Sequence, residues 1–65
     1  MRIIAHTKYG VFTSAEDKYS EEAFVELCEF LENLHNMEYF TFGTETGKVY
    51  MTKEMIADSL FFLEK

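Results

Sequence analysis

The chain has 65 residues, of which twelve are acidic and six are basic, so its net charge is −6. A field of that sign repels phosphate backbones and anionic lipid head groups, and it disfavours direct binding to nucleic acid or to a membrane surface. The length allows one hydrophobic core, which predicts a single domain over residues 1–65. The sequence has no apolar run long enough for a signal sequence or for a membrane span, and we expect a soluble, cytoplasmic protein.

The cysteine and aromatic content indicates the cellular compartment and how the core is stabilised. Cys28 is the lone cysteine, so it cannot form an intrachain disulfide, and a reducing compartment suits it. Seven Phe and four Tyr bring a large apolar area to a small chain, so a core can form without a cofactor or a disulfide. The same surplus predicts that some of these side chains contact another chain.

The first predicted elements are strands. Arg2 to Thr7 carries β-branched residues in a loose alternation, which predicts a strand. Gly10 can take a positive φ, and Val11 to Thr13 is a short apolar run, so a tight hairpin or a bulged continuation of the same strand follows. Ser14 to Tyr19 is polar without a period and is predicted to be a loop.

A helix is the next predicted element. Ser20 is a suitable N-cap, and Glu21 and Glu22 lie in the first turn, where the helix dipole favours negative charge. The apolar stripe of this helix consists of Phe24, Leu27, Cys28, Leu31 and Leu34, with Val25 near one edge. The pattern ends near His35 and Asn36, and asparagine can adopt the left-handed conformation that closes many helices.

The pattern in the second half of the chain predicts a hairpin, followed by a C-terminal segment that fits either a helix or a strand. The runs 39–43 and 48–52 should pair antiparallel, with Gly47 supplying a positive φ in the turn. Residues 53–64 fit either a second helix capped by Thr52 or a helical turn at 53–57 followed by a strand at 59–64, and adjacent phenylalanines favour the second interpretation. The predicted fold class is α+β, with one amphipathic helix packed on a small antiparallel or mixed sheet of four to five short strands.

The surface of the predicted helix carries the most unusual feature of the sequence. Between Ser20 and Leu34 there are five carboxylates and no basic residue. Like charges four residues apart cost a few tenths of a kcal/mol per pair, so the sequence forgoes the favourable Glu–Lys pairs that a helix surface can form. Four of them form the candidate partner-binding surface: Glu22, Glu26, Glu29 and Glu32. A solvated face that keeps an aromatic-rich protein soluble is the alternative interpretation.

Two other sets of residues could carry chemistry. His6, Cys28 and His35 could supply three ligands to a metal or a nucleophile pair, but structural zinc takes four ligands and neither a fourth Cys or His nor an orienting group is evident. We therefore expect no metal, cofactor or enzymatic activity, with a small metal-dependent catalyst built on these three residues as the alternative function. The aromatic residues of the hairpin, Tyr39, Phe40, Phe42 and Tyr50, lack the interleaved basic residues of a nucleic-acid platform, so core packing is the favoured interpretation.

These observations favour a binding protein over an enzyme. A chain this short, acidic and free of proline is similar in general character to the small proteins that compact viral genomes encode to bind host factors, which implies a phage-type inhibitor of a protein with a basic surface. One helix covers only one face of a sheet. We therefore expect a symmetric homodimer at micromolar concentration, joined through the uncovered sheet face or the C-terminal strand.

Overall fold

The computed structural model describes residues 1–18 and 20–65, and Tyr19, the last residue of the predicted loop, lies outside the described part. The strands are β1 (Arg2–Thr7), β2 (Gly10–Thr13), β3 (Tyr39–Gly43), β4 (Lys48–Thr52) and β5 (Leu60–Glu64). The helices are α1 (Glu21–Glu32) and the short α2 (Lys53–Ala57), with a 3₁₀ turn at Leu34–Asn36. The fold is α+β with five strands, as the sequence predicts.

The strands form two antiparallel sheets. The first sheet has the order β2-β1-β5, and the second sheet is the β3-β4 hairpin. Between the sheets, the backbone N–H of Ala15 donates to the carbonyl of Gly43 at 2.9 Å, just past the end of β2. The sequence analysis predicts four to five strands but not their division into two sheets. Alternation along a strand shows which side chains share a face, but it does not show which strands pair.

Gly10 closes the β1–β2 hairpin of the first sheet. Its φ is +133°, a backbone conformation that side-chain-bearing residues rarely adopt. The hydroxyl of Thr7 donates to the carbonyl of Gly10 at 2.9 Å and accepts from the backbone N–H of Tyr9 at 3.0 Å. This turn sets the register that places Phe12 opposite Ala5. The hairpin interpretation of the segment is confirmed.

Helix α1 begins where its cap predicts and ends earlier than expected. The Ser20 hydroxyl accepts from the backbone N–H of Ala23 at 3.2 Å, so the predicted N-cap is confirmed. The helix ends at Glu32, and the Asn33 side chain donates to the carbonyl of Glu29 at 3.0 Å. Asn36 lies in the 3₁₀ turn and does not take a positive φ, so the predicted left-handed closure there is wrong.

The β3–β4 turn depends on a threonine hydroxyl rather than on Gly47. The Thr44 hydroxyl accepts from the backbone N–H groups of Thr46 at 3.3 Å and Gly47 at 3.0 Å, and the Thr44 N–H donates to the carbonyl of Gly47 at 2.7 Å. Gly47 does not take a positive φ, so the conformation predicted for it is wrong. The side-chain hydrogen bonds of Thr44 stabilise the turn, and a glycine with a positive φ is not needed.

The faces of the second sheet follow from its register. Phe40 lies opposite Met51, and Phe42 lies opposite Val49, so these four side chains share the core face. Tyr39 is adjacent to Phe40 in the strand and therefore lies on the outer face. Neither Val49 nor Met51 lies on the outer face. Met51 is 2% exposed, and Val49 packs against the core.

The ambiguous C-terminal stretch forms a helical turn followed by a strand. The Thr52 hydroxyl accepts from the backbone N–H of Met55 at 3.4 Å and caps α2. The Ser59 hydroxyl donates to the carbonyl of Met55 at 2.6 Å, and the chain then enters β5 and pairs with β1. The interpretation as a turn plus a strand is confirmed, with the strand one residue shorter than predicted.

The core is a single cluster of buried residues from both sheets and from the segments that join them. Its buried members are Ala5, Leu34, Phe40, Phe42, Met51 and Ile56. The Phe40 ring lies 5.8 Å from that of Phe30 on α1, 5.6 Å from Phe42 and 5.7 Å from Phe61 on β5. One side chain therefore contacts the helix and both sheets.

We predict that Phe40→Ala unfolds the protein or leaves it barely folded. Truncating a buried phenylalanine costs about 3–5 kcal/mol, and a domain of this length has about 3–10 kcal/mol of stability in total. Tyr39→Ala is the control, since the adjacent Tyr39 side chain is 71% exposed and its removal should change the free energy of unfolding by less than about 0.5 kcal/mol. Urea titrations followed by circular dichroism measure both; equal midpoints would contradict the prediction.

Candidate functional site

The candidate site is the solvent side of α1. We call Glu22, Glu26, Glu29 and Glu32 the acidic ridge; all four side chains are exposed. The opposite side of the helix carries Leu31, which packs on the core, and Leu27, which lines a cleft with Ile3 of the first sheet. The amphipathic pattern therefore orients the helix as predicted and places the four carboxylates in water.

The acidic ridge has no basic partner among the residues that the structure describes. The ion pairs there are Arg2–Glu64 at 2.6 Å, Lys8–Asp58 at 4.0 Å, Lys53–Glu38 at 3.6 Å and Lys65–Glu21 at 3.6 Å. Each of these joins a base to a carboxylate outside the ridge. The negative charge of the chain is therefore least compensated on the exposed side of α1.

Val25 is a feature of this surface that sequence reasoning missed. Its side chain is 52% exposed, and it lines a shallow depression with Glu21, Glu22 and Glu26. The signal was available, because at about 100° per residue Val25 lies within about 60° of both Glu22 and Glu29, on the acidic side of the helix and away from the apolar stripe. The site is thus an apolar centre surrounded by carboxylates.

The three residues considered as metal ligands or as a nucleophile pair are not assembled. His6 is exposed on the outer side of the first sheet, whereas α1 with the partly buried Cys28 contacts its inner side. His35 is exposed in the 3₁₀ turn. Across residues 1–18 and 20–65, no group of three histidine, cysteine or carboxylate side chains could hold a metal ion.

The aromatic residues of the hairpin divide between the core and the surface. Phe40 and Phe42 are buried, as the core-packing interpretation predicts, but Tyr39 and Tyr50 are about 70% exposed, so that interpretation is wrong for the tyrosines. Strand alternation is the reason, because residues 39 and 50 have the opposite parity to the core residues of their strands. The Lys48 ammonium lies over the Tyr50 ring, 5.8 Å from its centroid.

A partly open cleft beneath α1 is smaller than the sites that usually bind organic ligands. It lies between α1 and the two sheets, is lined by Ile3, Leu27, Phe42 and Leu63 among others, and holds about 250 Å³. Sites for drug-sized ligands usually hold about 300–1,000 Å³. The exposed helix surface is therefore a stronger candidate for function than this cleft.

Comparison with family models, with curated proteins and with solved structures finds no significant match. Within the described part of the chain, neither helix has the length and apolar character needed to cross a membrane.

We predict that Glu26→Lys stabilises the isolated protein. Glu26 lies four residues after Glu22 and three before Glu29, so the substitution replaces two repulsive pairs with two attractive ones, each worth a few tenths of a kcal/mol. Urea unfolding at low salt should show a higher midpoint than the wild type, and the gain should shrink as salt is added.

The control is Glu45→Lys in the β3–β4 turn, which makes the same change in charge at an exposed position outside α1. A lower midpoint for Glu26→Lys than for this control would show that Glu26 contributes to folding.

Proposed function

We propose that this protein is a small acidic protein-binding module that uses the exposed side of α1 to occupy a basic surface on a larger protein. The proposal includes a cytoplasmic location, in keeping with the free thiol of Cys28. It is a binding function and not a catalytic one. An inhibitor of a host factor, of the phage type, is the biological role that suits a protein of this size and charge.

The observation that carries the proposal is the pairing of uncompensated carboxylates with an exposed apolar residue. Helix surfaces that serve only solubility gain stability from mixed charges, whereas α1 carries one sign of charge and places Val25 in its midst. Protein interfaces have an apolar centre and a polar rim, and Val25 with the acidic ridge has that composition. The helix gives up stability that a basic partner would restore.

Charge also sets how the proposed complex forms. A single-signed surface steers an oppositely charged partner and raises the association rate, and salt screens the effect over about 8–10 Å. We therefore expect the association rate to fall steeply with ionic strength and the dissociation rate to change less.

The contact surface extends beyond the ridge. A helix of twelve residues is about 18 Å long, which alone is short for a protein interface. Phe30, 38% exposed, lies beside the ridge and lines an open groove with Met37 and Tyr39. This groove gives a partner an apolar contact next to the carboxylates.

We predict that reversing two ridge charges abolishes capture of the partner. The variant is Glu26→Lys with Glu29→Lys, and the bait is immobilised protein in extract of the source cells at low salt. The matched control is Glu45→Lys with Glu54→Lys, which changes net charge equally at exposed positions outside α1. The same basic protein should be retained by the wild type and by the control but not by the ridge variant. Equal retention by all three would leave the ridge with a solvation role only.

A photo-reactive residue locates the contact directly. Placed at Val25, it should cross-link the captured protein, and placed at Tyr50, which is more exposed than Val25, it should not. Cross-linking from Tyr50 alone would move the binding surface to the second sheet and contradict the proposal.

A further inference from the structure

The first sheet has an uncovered apolar side. The strand alternation that sends Ala5, Phe12 and Phe61 into the core sends their neighbours outward. The outer sheet face carries Ile4, His6, Val11, Thr13, Leu60 and Phe62, with Arg2 and Glu64 at one end. Val11 is 60% exposed, Leu60 67% and Phe62 53%. These residues lie on three adjacent strands and form a contiguous patch, in contrast to the isolated apolar residues that occur on most surfaces.

We propose that a second copy of this chain covers the outer sheet face, with the two first sheets packed face to face about a twofold axis. This inference uses a different surface from the function proposed above and does not depend on it.

The charge distribution favours a second copy as the occupant. Two chains of charge −6 repel each other, so they can associate only through a surface that carries little net charge. The outer sheet face meets that requirement, because the charged residues at its ends are paired: Arg2 with Glu64 at one end and Lys8 with Asp58 at the other. Arg2 donates two hydrogen bonds to Glu64, and the two opposite charges of this pair balance each other at this end of the sheet.

The position of the acidic ridge supports the same occupant. Helix α1 faces the inner side of the first sheet through Leu27, which lines a cleft with Ile3 and Leu63, and the acidic ridge lies on the opposite side of the helix. Face-to-face packing of two outer sheet faces therefore keeps the two ridges on opposite sides of the dimer. A basic partner, by contrast, finds no unpaired carboxylate among the side chains of the outer sheet face.

The exposed area is larger than a compact monomer of this size needs. The accessible surface is 4734 Å², whereas a folded chain of 7.7 kDa is expected to expose about 4,300 Å². The radius of gyration is 11.4 Å against about 10.8 Å expected for 65 residues. Both values are slightly larger than expected for a compact monomer, in keeping with a sheet face that is left uncovered.

The small size of the outer sheet face sets the strength of the contact. A face built on three short strands is small beside the total area of about 1,200–2,000 Å² that stable complexes bury. The dimer is therefore weak and reversible, with a dissociation constant in the micromolar range. Aligned packing of two sheets about 10 Å apart is the geometry that such a face permits.

Sedimentation equilibrium of untagged protein from one to a few hundred micromolar tests the proposal. The wild type should move from the 7.7 kDa monomer toward twice that mass. Phe62→Lys on β5 and Val11→Lys on β2 should each raise the dissociation constant at least tenfold. Both lower the net negative charge, so weaker association cannot be attributed to greater overall repulsion.

Tyr50→Lys is the matched control, since it makes the same change in charge at an exposed strand position of the second sheet, 70% exposed. It should leave the dissociation constant within about twofold of the wild type. Far-ultraviolet circular dichroism and urea midpoints confirm that each variant is folded; if Phe62→Lys does not fold, Val11→Lys carries the test alone.

The outcomes separate this arrangement from its competitors. A monomer throughout the concentration range overturns the proposal. A dimer that is lost in Phe62→Lys but kept in Val11→Lys indicates edge pairing through β5, since β2 lies at the far side of the sheet, and it also overturns the proposal. Added salt should tighten the dimer by screening repulsion between the chains, whereas it should weaken binding through the acidic ridge, so failure of one inference is distinguishable from failure of the other.

Discussion

The contact that the whole fold depends on is the packing of the Phe40 ring against the rings of Phe30, Phe42 and Phe61. Within each sheet, antiparallel ladders satisfy the backbone, but the two sheets are hydrogen-bonded in separate groups. Besides the hydrogen bond from Ala15 to Gly43, side-chain burial joins the two sheets, and the Phe40 ring packs against α1, its own sheet and β5. Within Glu21–Glu32, all of which the structure describes, no side chain is fully buried, so the helix is held by partial contacts that depend on the same ring.

Local chemistry in the sequence was enough to predict most of the elements. The hydroxyls of Ser20 and Thr52 accept backbone hydrogen bonds at the helix starts, and Gly10 takes the positive φ expected of it. The pairing of distant strands could not be predicted. β1 and β5 are far apart in the chain, and alternation along a strand does not indicate which strand pairs with it. The turn at Thr44 was missed for a related reason: a threonine hydroxyl can replace a glycine conformation, and composition favoured the glycine.

Part of the candidate site could also be predicted from the sequence, and part could not. Helical spacing alone indicated that Glu22, Glu26 and Glu29 share a side of α1, and the structure places them there in water. The spacing did not reveal that other carboxylates would take the available bases, because those pairs join residues from different elements, as Lys53 and Glu38 do. The same spacing places Val25 nearer to Glu22 and Glu29 than to the centre of the apolar stripe, but its apolar character led to its being assigned to an edge of that stripe.

The two ends of the described chain meet at one corner of the first sheet. Arg2 lies opposite Glu64 in the β1–β5 ladder, the Met1 amine donates to the carbonyl of Asp17 at 2.9 Å, and Lys65 lies 4.9 Å from the Phe24 ring at the start of α1. Opposed residues in such a ladder are about 5 Å apart. Anything fused to either end therefore leaves the molecule from the same corner, and a linker of a few residues is long enough to close the chain into a ring without altering its topology.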